Sequence, residues 1–504
     1  MTPKPPTLWI DVEDLFNFAA RSLRVNGIQR VCLELLAAAV RLPAGARALR
    51  FVRHSADGKR FIAVSWAELE ALAAAFKGVE THSSAHLAAR AKADGATGTA
   101  PDADDAPAGP LDPMIRPMVA LVGHEGRAIA DAGVDLWRVV LAFLRRQAEA
   151  LGIAVWLAKG TAVVALRAAG LRRGTAVAAR AEHEATAPMQ PGDVVVALGG
   201  LWCHPAYGAL IADTKRAYGV RFALLVHDLI PIRRPEYCHP GFVRDFTAWL
   251  DGTLPQADRV LANSRSTARD VEDHARAIGL ALAGPVPVIP FGTGFALTHA
   301  IDAPAPEWFP EAGSYALFVS TIDGRKNHAF LFRVWRRLLE ALPAERVPTL
   351  VFAGGVGGQV ADLMQQLENT DYLGGKVMVI HGVSDGELAA LYRGARFTLY
   401  PSLYEGWGLP VSESLGFGRP CLASNATSLP EAGGSLARYF DPEDVGDAYR
   451  KILAVIEDPE DLRRWQEQVA REFRPVPWSA GAAALLAELG VPAEAAREPE
   501  AVQG

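Results

Sequence analysis

Glu405 and Glu413 stand eight residues apart in the segment YPSLYEGWGLPVSESLGFG of residues 400–418, with Gly406, Trp407, Gly408 and Leu409 following the first acid. A carboxylate accepts hydrogen bonds from sugar hydroxyls, and backbone N–H groups at the mouth of a helix hold phosphate. Two acids separated by glycines at such a mouth can grip the hydroxyls of a sugar and of a ribose with phosphate between them. The spacing is that of a nucleotide-sugar site. A second element, Arg325-Lys326, lies in the turn of residues 321–327. The guanidinium offers a planar fork and the ammonium a point charge, and together they can neutralise a diphosphate. An exposed turn at a helix start explains the same pair without any ligand.

These residues need elements to position them. The apolar run 397–400 reads as a buried strand, the Gly406–Gly408 turn leads into a helix, and Pro410 suits that helix's first position. Glu405 is then expected at the strand's exit and Glu413 in the first helical turn, where an acid also favours the helix dipole. Short apolar runs at 8–12, 194–198, 222–226, 259–262 and 286–290 alternate with helical patterns such as 28–40, and a second series follows at 316–320, 349–353, 377–380, 397–400 and 420–423. Alternation of this kind implies crossover helices and mainly parallel sheets, whose ligands collect beyond the carboxyl ends of the strands. Candidates fall there. His381, Val383 and Ser384 follow the strand at 377–380, with Ser384 or Asp385 suited to cap the next helix. His227-Asp228 follow the strand at 222–226, where Asp228 can orient the imidazole.

The chain has 504 residues, half of them hydrophobic and 21% charged, with a formal net charge of −6. That length exceeds what one core of about 250–300 residues fills, so two domains are expected. We read 1–295 as an N-terminal domain with an insertion near 80–118, 296–475 as a C-terminal domain, and 476–504 as a helix at 478–489 with a tail; the hinge is expected at 291–310. The charge gives no global attraction to nucleic acid or anionic lipid. Cys32, Cys203, Cys238 and Cys421 show no metal or redox spacing, which fits free cytoplasmic thiols. An acidic, proline-rich start and the lack of a long uncharged apolar run predict neither a signal peptide nor a membrane span.

The segments VSTIDGRKN, HGVSDGELAALYRGA and YPSLYEGWGLPVSESLGFGRP, in this order, resemble the donor domain of family-four retaining glycosyltransferases of the GT-B fold. The resemblance implies two Rossmann-like parallel-sheet domains facing each other across a cleft. It implies that Lys326 and Arg325 bind the diphosphate, that Glu413 holds the ribose hydroxyls, and that Glu405 with the backbone of Gly406, Trp407, Gly408 and Leu409 faces the sugar. The base would lie near His381, Val383 and Ser384. His227 would meet the sugar from across the cleft, and the loop leading through Gly27 to Arg30 would approach phosphate or acceptor. Many relatives carry Arg where this chain has Thr321, which opens the question of the second cation.

The segments GIQR at 27–30 and HDLIP at 227–231 look like bacterial polysaccharide mannosyltransferases, which implies GDP-mannose as donor, in preference to UDP- or dTDP-sugars, and a glycan or lipid-linked acceptor in surface polysaccharide biosynthesis. No cofactor and no metal are expected. A non-catalytic nucleotide-sugar-binding scaffold and a sugar-nucleotide epimerase are the rival readings. Asp102-Ala103-Asp104 follows no strand, His82 and His86 have no adjacent third ligand, and the glycines at 354–358 lack the last glycine of a dinucleotide fingerprint. The basic, aromatic-interleaved stretch 135–173 reads as a packed helix with a solvated basic face, or as a peripheral membrane contact.

Overall fold

The computed structural model describes residues 5–20, 27–77, 186–294 and 305–491. The chain divides into two units, Met1–Asp94 with Ala185–Gly504 and Gly95–Glu184, and every described residue lies in the first. The expected insertion, its Asp102 and Asp104, His82 and His86, the basic stretch 135–173 and the tail beyond 491 fall outside the described residues.

Twelve strands are described, in two six-stranded sheets. The first contains β1 (Leu8–Asp11), β2 (Leu49–His54), β3 (Phe61–Val64), β4 (Val194–Ala197), β5 (Arg221–Val226) and β6 (Arg259–Ala262), in the order β3-β2-β1-β4-β5-β6. The second contains β7 (Tyr315–Val319), β8 (Thr349–Ala353), β9 (Val377–Ile380), β10 (Phe397–Tyr400), β11 (Cys421–Ser424) and β12 (Arg438–Phe440), in the order β12-β11-β10-β7-β8-β9. Every pairing is parallel except β2 with β3. Both sheets thus have the doubly wound order, with switch points between β1 and β4 and between β7 and β10. Ligands of such sheets collect at those crevices.

The central strands are buried along nearly their whole length, as β4 (VVVA) and β10 (FTLY) show, because helices cover both faces. Side chains around Leu8, Leu35 and Leu225 fill one face of the first sheet, and those around Phe222, Trp249 and Leu250 fill the other. The second sheet has the corresponding pair of layers, built on Phe318, Trp335 and Phe352 and on Leu317, Val351 and Leu391.

Three sequence expectations are corrected, and the expected last helix is found. Residues 286–290 form no strand: Ala262 N donates to Pro287 O and Ile289 N to Ala262 O, but the prolines at 285, 287 and 290 have no N–H to extend the ladder. Strands β2, β3 and β12 were not expected; each is short or half exposed. The helix after the glycine turn runs Leu409–Gly416, so Pro410 is its second residue, and Glu413, its fifth, lies beyond the first turn. The last described helix, Trp478–Glu488, returns to the first sheet and packs on the helix Gly27–Arg41. Gly481 permits this, since a Cβ there would stand 2.3 Å from the Pro290 carbonyl oxygen.

Candidate active site

The loops that leave β7 and β10 meet at the second sheet's switch point. Asp323 caps the short turn Gly324–Lys326 by accepting from Arg325 N at 3.1 Å, which aims the two cations at the β10 loop. Lys326 Nζ donates to Glu405 Oε1 at 2.5 Å and to the Tyr400 hydroxyl at 3.1 Å, while Arg325 Nη1 lies 2.9 Å from the same Glu405 oxygen and donates to Tyr404 O at 2.5 Å. Thr427 and Ser428 bind the Glu405 backbone and fix it further. Burial alone would raise the Glu405 pKa, but Arg325 and Lys326 more than reverse this and hold it at about 2. Burial in turn pulls the Lys326 ammonium below its ordinary range, against Glu405, which raises it. A buried carboxylate is thus kept ionised beside two cations.

The first sheet meets this cluster closely. A Cβ on Gly406 would lie 2.0 Å from the His227 carbonyl oxygen and 2.9 Å from Asp228 Cβ, so only glycine allows the approach. The Thr267 hydroxyl shares its proton between His227 O at 3.2 Å and Gly406 O at 3.3 Å, tying both loops to the helix Arg265–Ala277. Glu431 of the second sheet caps that helix, accepting from Arg265 N at 2.8 Å and Ser266 N at 2.9 Å. The His227 ring is buried and its Nε2 lies 2.6 Å from the Leu198 carbonyl oxygen, which puts the proton on Nε2 and leaves Nδ1 as the acceptor nitrogen. Burial lowers its pKa to about 4, so the imidazole is neutral near pH 7. Asp228 does not orient the ring: it accepts from Ile230 N at 3.0 Å. Instead its carboxyl, raised by burial, feels the charges of Arg325, Glu405 and Lys326.

A second cluster surrounds Glu413, which is 2% exposed. Arg30 Nη1, from the first sheet's helix Gly27–Arg41, lies 2.9 Å from Glu413 Oε1, and Arg30 Nη2 donates to Gly294 O at 3.0 Å. The Tyr392 hydroxyl donates to Glu413 Oε2 at 2.9 Å, and its ring stacks on Phe417. Gly27 is the exposed first residue of its helix. Ser384 caps the helix Asp385–Gly394 in a reciprocal box with Glu387. His381 Nδ1 lies 2.6 Å from Gly354 O, and Val383 packs under β9. Trp407 is packed between the layers of the two sheets, and Gly408, at φ 150, precedes Leu409 at the helix start.

Lys326, Arg325, Glu405, Gly406 and His227 therefore come together, and Arg30 joins Glu413. Sequence reasoning missed Tyr400, Tyr392, Thr267 and Glu431. Tyr400 stood at the predicted strand's exit, where its hydroxyl was a legible signal; Thr267 and Glu431 act across the two sheets and carry none.

Two doubly wound sheets whose carboxyl-end loops face each other, with paired cations and an ionised acid at one switch point, define the GT-B class of fold. Residues 303–472 match the family Glycosyl transferases group 1. The serotype-specific mannosyltransferase WbdA of Escherichia coli is 28% identical over 301 residues, which are 57% of this chain and 36% of that one. The O-antigen chain mannosyltransferase B of Escherichia coli is 36% identical over 144 residues, 29% of this chain and 37% of that one. A D-inositol 3-phosphate glycosyltransferase of Nocardiopsis dassonvillei is 27% identical over 285 residues, 54% and 65% of the two chains. The matches thus span little more than a third of the two mannosyltransferases. Among the described residues no helix is long and apolar enough to cross a membrane.

Proposed function

We propose that this protein moves a hexose, with retention, from a nucleoside diphosphate donor to a hydroxyl of a glycan or lipid-linked acceptor, and that the donor is GDP-mannose. The observation that carries the reading is the buried Lys326–Glu405–Arg325 cluster at the β7/β10 switch point, opposite His227. In hexose transfer, charge develops on the departing diphosphate, and fixed cations in a water-poor cleft stabilise it without reorganising. Lys326 and Arg325 supply that charge, so the reading needs no metal. Glu405, held ionised by the same cations, accepts hydroxyls of the sugar ring. The buried, neutral His227 meets the sugar from the first sheet. The leaving phosphate oxygen accepts the acceptor's proton, so no separate base is required, and orientation of two substrates supplies the remainder.

Mannose and a role in surface polysaccharide synthesis are supported by the similarity to the two Escherichia coli mannosyltransferases. The similarity to D-inositol 3-phosphate glycosyltransferases favours a second reading of the acceptor alone, a phosphorylated polyol. Calorimetric titration with GDP, UDP and dTDP sorts the donors: GDP is expected to bind tightest, and a preference for UDP refutes the mannose assignment. Release of mannose from GDP-mannose by the purified protein, unchanged by EDTA, separates the enzyme from a scaffold, and recovery of unisomerised donor separates it from an epimerase.

A further inference from the structure

Glu413 is 2% exposed, closed in on one side by the Tyr392 hydroxyl, which donates to Oε2, and on the other by the Arg30 guanidinium of the opposite sheet, which is ion-paired to Oε1 at 2.9 Å without a hydrogen bond. The carboxylate has acceptor sites to spare, but at 2% exposure no ribose hydroxyl can reach it while both partners stand where they are, so a nucleotide whose ribose is bound by Glu413 has to move one of them aside. The Tyr392 hydroxyl is buried on the acid's own domain. Arg30 is different: its side chain is 21% exposed, it reaches in from the helix Gly27–Arg41, and its remaining fork is anchored on Gly294 O. It is also a group that phosphate binds strongly and bidentately.

We propose that Arg30 is an exchange residue, pairing with Glu413 until a donor enters and passing to the donor's diphosphate as the ribose takes its place on the acid. The inference rests on the donor reading above and adds to it a rule of ligand selection. A nucleoside has to break the ion pair and offers Arg30 nothing in return. A nucleoside diphosphate breaks the same pair and supplies a better partner, because its phosphates are tethered to the ribose that Glu413 binds. The energy needed to separate Arg30 from Glu413 is therefore recovered only by ligands that carry phosphate, and the cleft discriminates against nucleosides before any base contact is made. Linkage requires the preference to vanish if the two states lose their differential interaction with the ligand.

The test is calorimetric titration, by competition where binding is weak, of the full chain and its Arg30→Gln and Arg30→Lys variants with guanosine and GDP and with uridine and UDP. In R30Q the acid is released, so the nucleoside should bind about tenfold tighter while the diphosphate binds about tenfold weaker, opposite shifts that compress their affinity ratio roughly a hundredfold. R30K keeps the charge but not the fork, and should compress the ratio a few-fold; it decides the matter if R30Q does not fold. Shifts of the same sign for both ligands, or an unchanged ratio in the folded variant, overturn the exchange while leaving the donor reading standing. A parent protein that binds neither GDP nor UDP overturns both.

Discussion

Lys326 has three protons, and among the described residues two acceptors take them, Glu405 Oε1 and the Tyr400 hydroxyl. The third is available to an anion, and the ammonium is already desolvated, so its interaction with a phosphate is not diluted by water. Lys326→Ala leaves Glu405 paired with Arg325 and, on the proposed donor reading, removes one of two charges on the leaving group. The turnover number should fall by about 10²–10³, the range for loss of one preorganised donor. On the proposed donor reading Glu413→Gln removes a ground-state contact with the ribose, so its loss should appear in the donor KM along with turnover. Steady-state kinetics with GDP-mannose, on variants whose thermal midpoints match the parent, check both. Parent rates in the two variants would refute the assignment of these residues to the donor site.

The loop 404–407 is the element that carries the acid to the other sheet, and Gly406 is its point of closest approach. Gly406→Ala sets a methyl 2.0 Å from the His227 carbonyl, a backbone atom that cannot rotate away, so one of the two loops has to shift. Overpacking of this kind costs about 1–3 kcal/mol and here also opens the cleft, so the variant should lose both thermal stability and kcat/KM. Gly355→Ala is the matched control, since a Cβ there meets nothing within 4 Å, and it should behave as the parent. Differential scanning calorimetry and donor hydrolysis read the pair. This loop also marks how far the sequence is legible. Its strand, glycines and acids follow from local pattern, as do the Ser384 cap and the alternation that gives two doubly wound sheets. The partners of the loop do not, because the His227 carbonyl and Thr267 are distant in sequence and act through a backbone atom and a single hydroxyl. For the same reason Arg30 reads from sequence as a residue near phosphate, while its pairing with Glu413 emerges only once the two sheets are brought face to face. Strands β3 and β12, four and three residues long, are stabilised by neighbours and not by a period of their own.

The response of the whole molecule to acid is a sum over groups in both of its halves. His227 behind the first sheet and His328 under the second are both buried, and burial lowers their pKa values from 6.5 to about 4 and about 3. Burial raises Asp14, at the turn of Gly199 and Gly200, from 3.8 to about 7. As pH falls below 6.5 the unfolded chain protonates both imidazoles while the folded one does not, so each histidine destabilises the fold by about 1.4 kcal/mol per pH unit. Asp14 has the opposite sign, because the folded state takes its proton near pH 7 and the unfolded state only near 3.8; its contribution to stability grows over the same range. Glu405, held at about 2, starts to cost stability only below its ordinary value of 4.5, as the unfolded carboxylate protonates first. Between pH 6.5 and about 5 the two histidines outweigh Asp14 by the equivalent of one proton, so stability should fall by at most about 1.4 kcal/mol per unit, less what Asp228 and Asp270, whose carboxyls burial also raises, contribute in the same sense as Asp14. His227→Gln keeps a donor for Leu198 O and removes one titration, so the slope in this window should shrink towards zero. Asp14→Asn removes the opposing group and should roughly double it. Urea midpoints of the three proteins at half-unit steps measure the slopes, and a His227→Gln variant with the parent's slope through this range would show that this imidazole is not held neutral by burial.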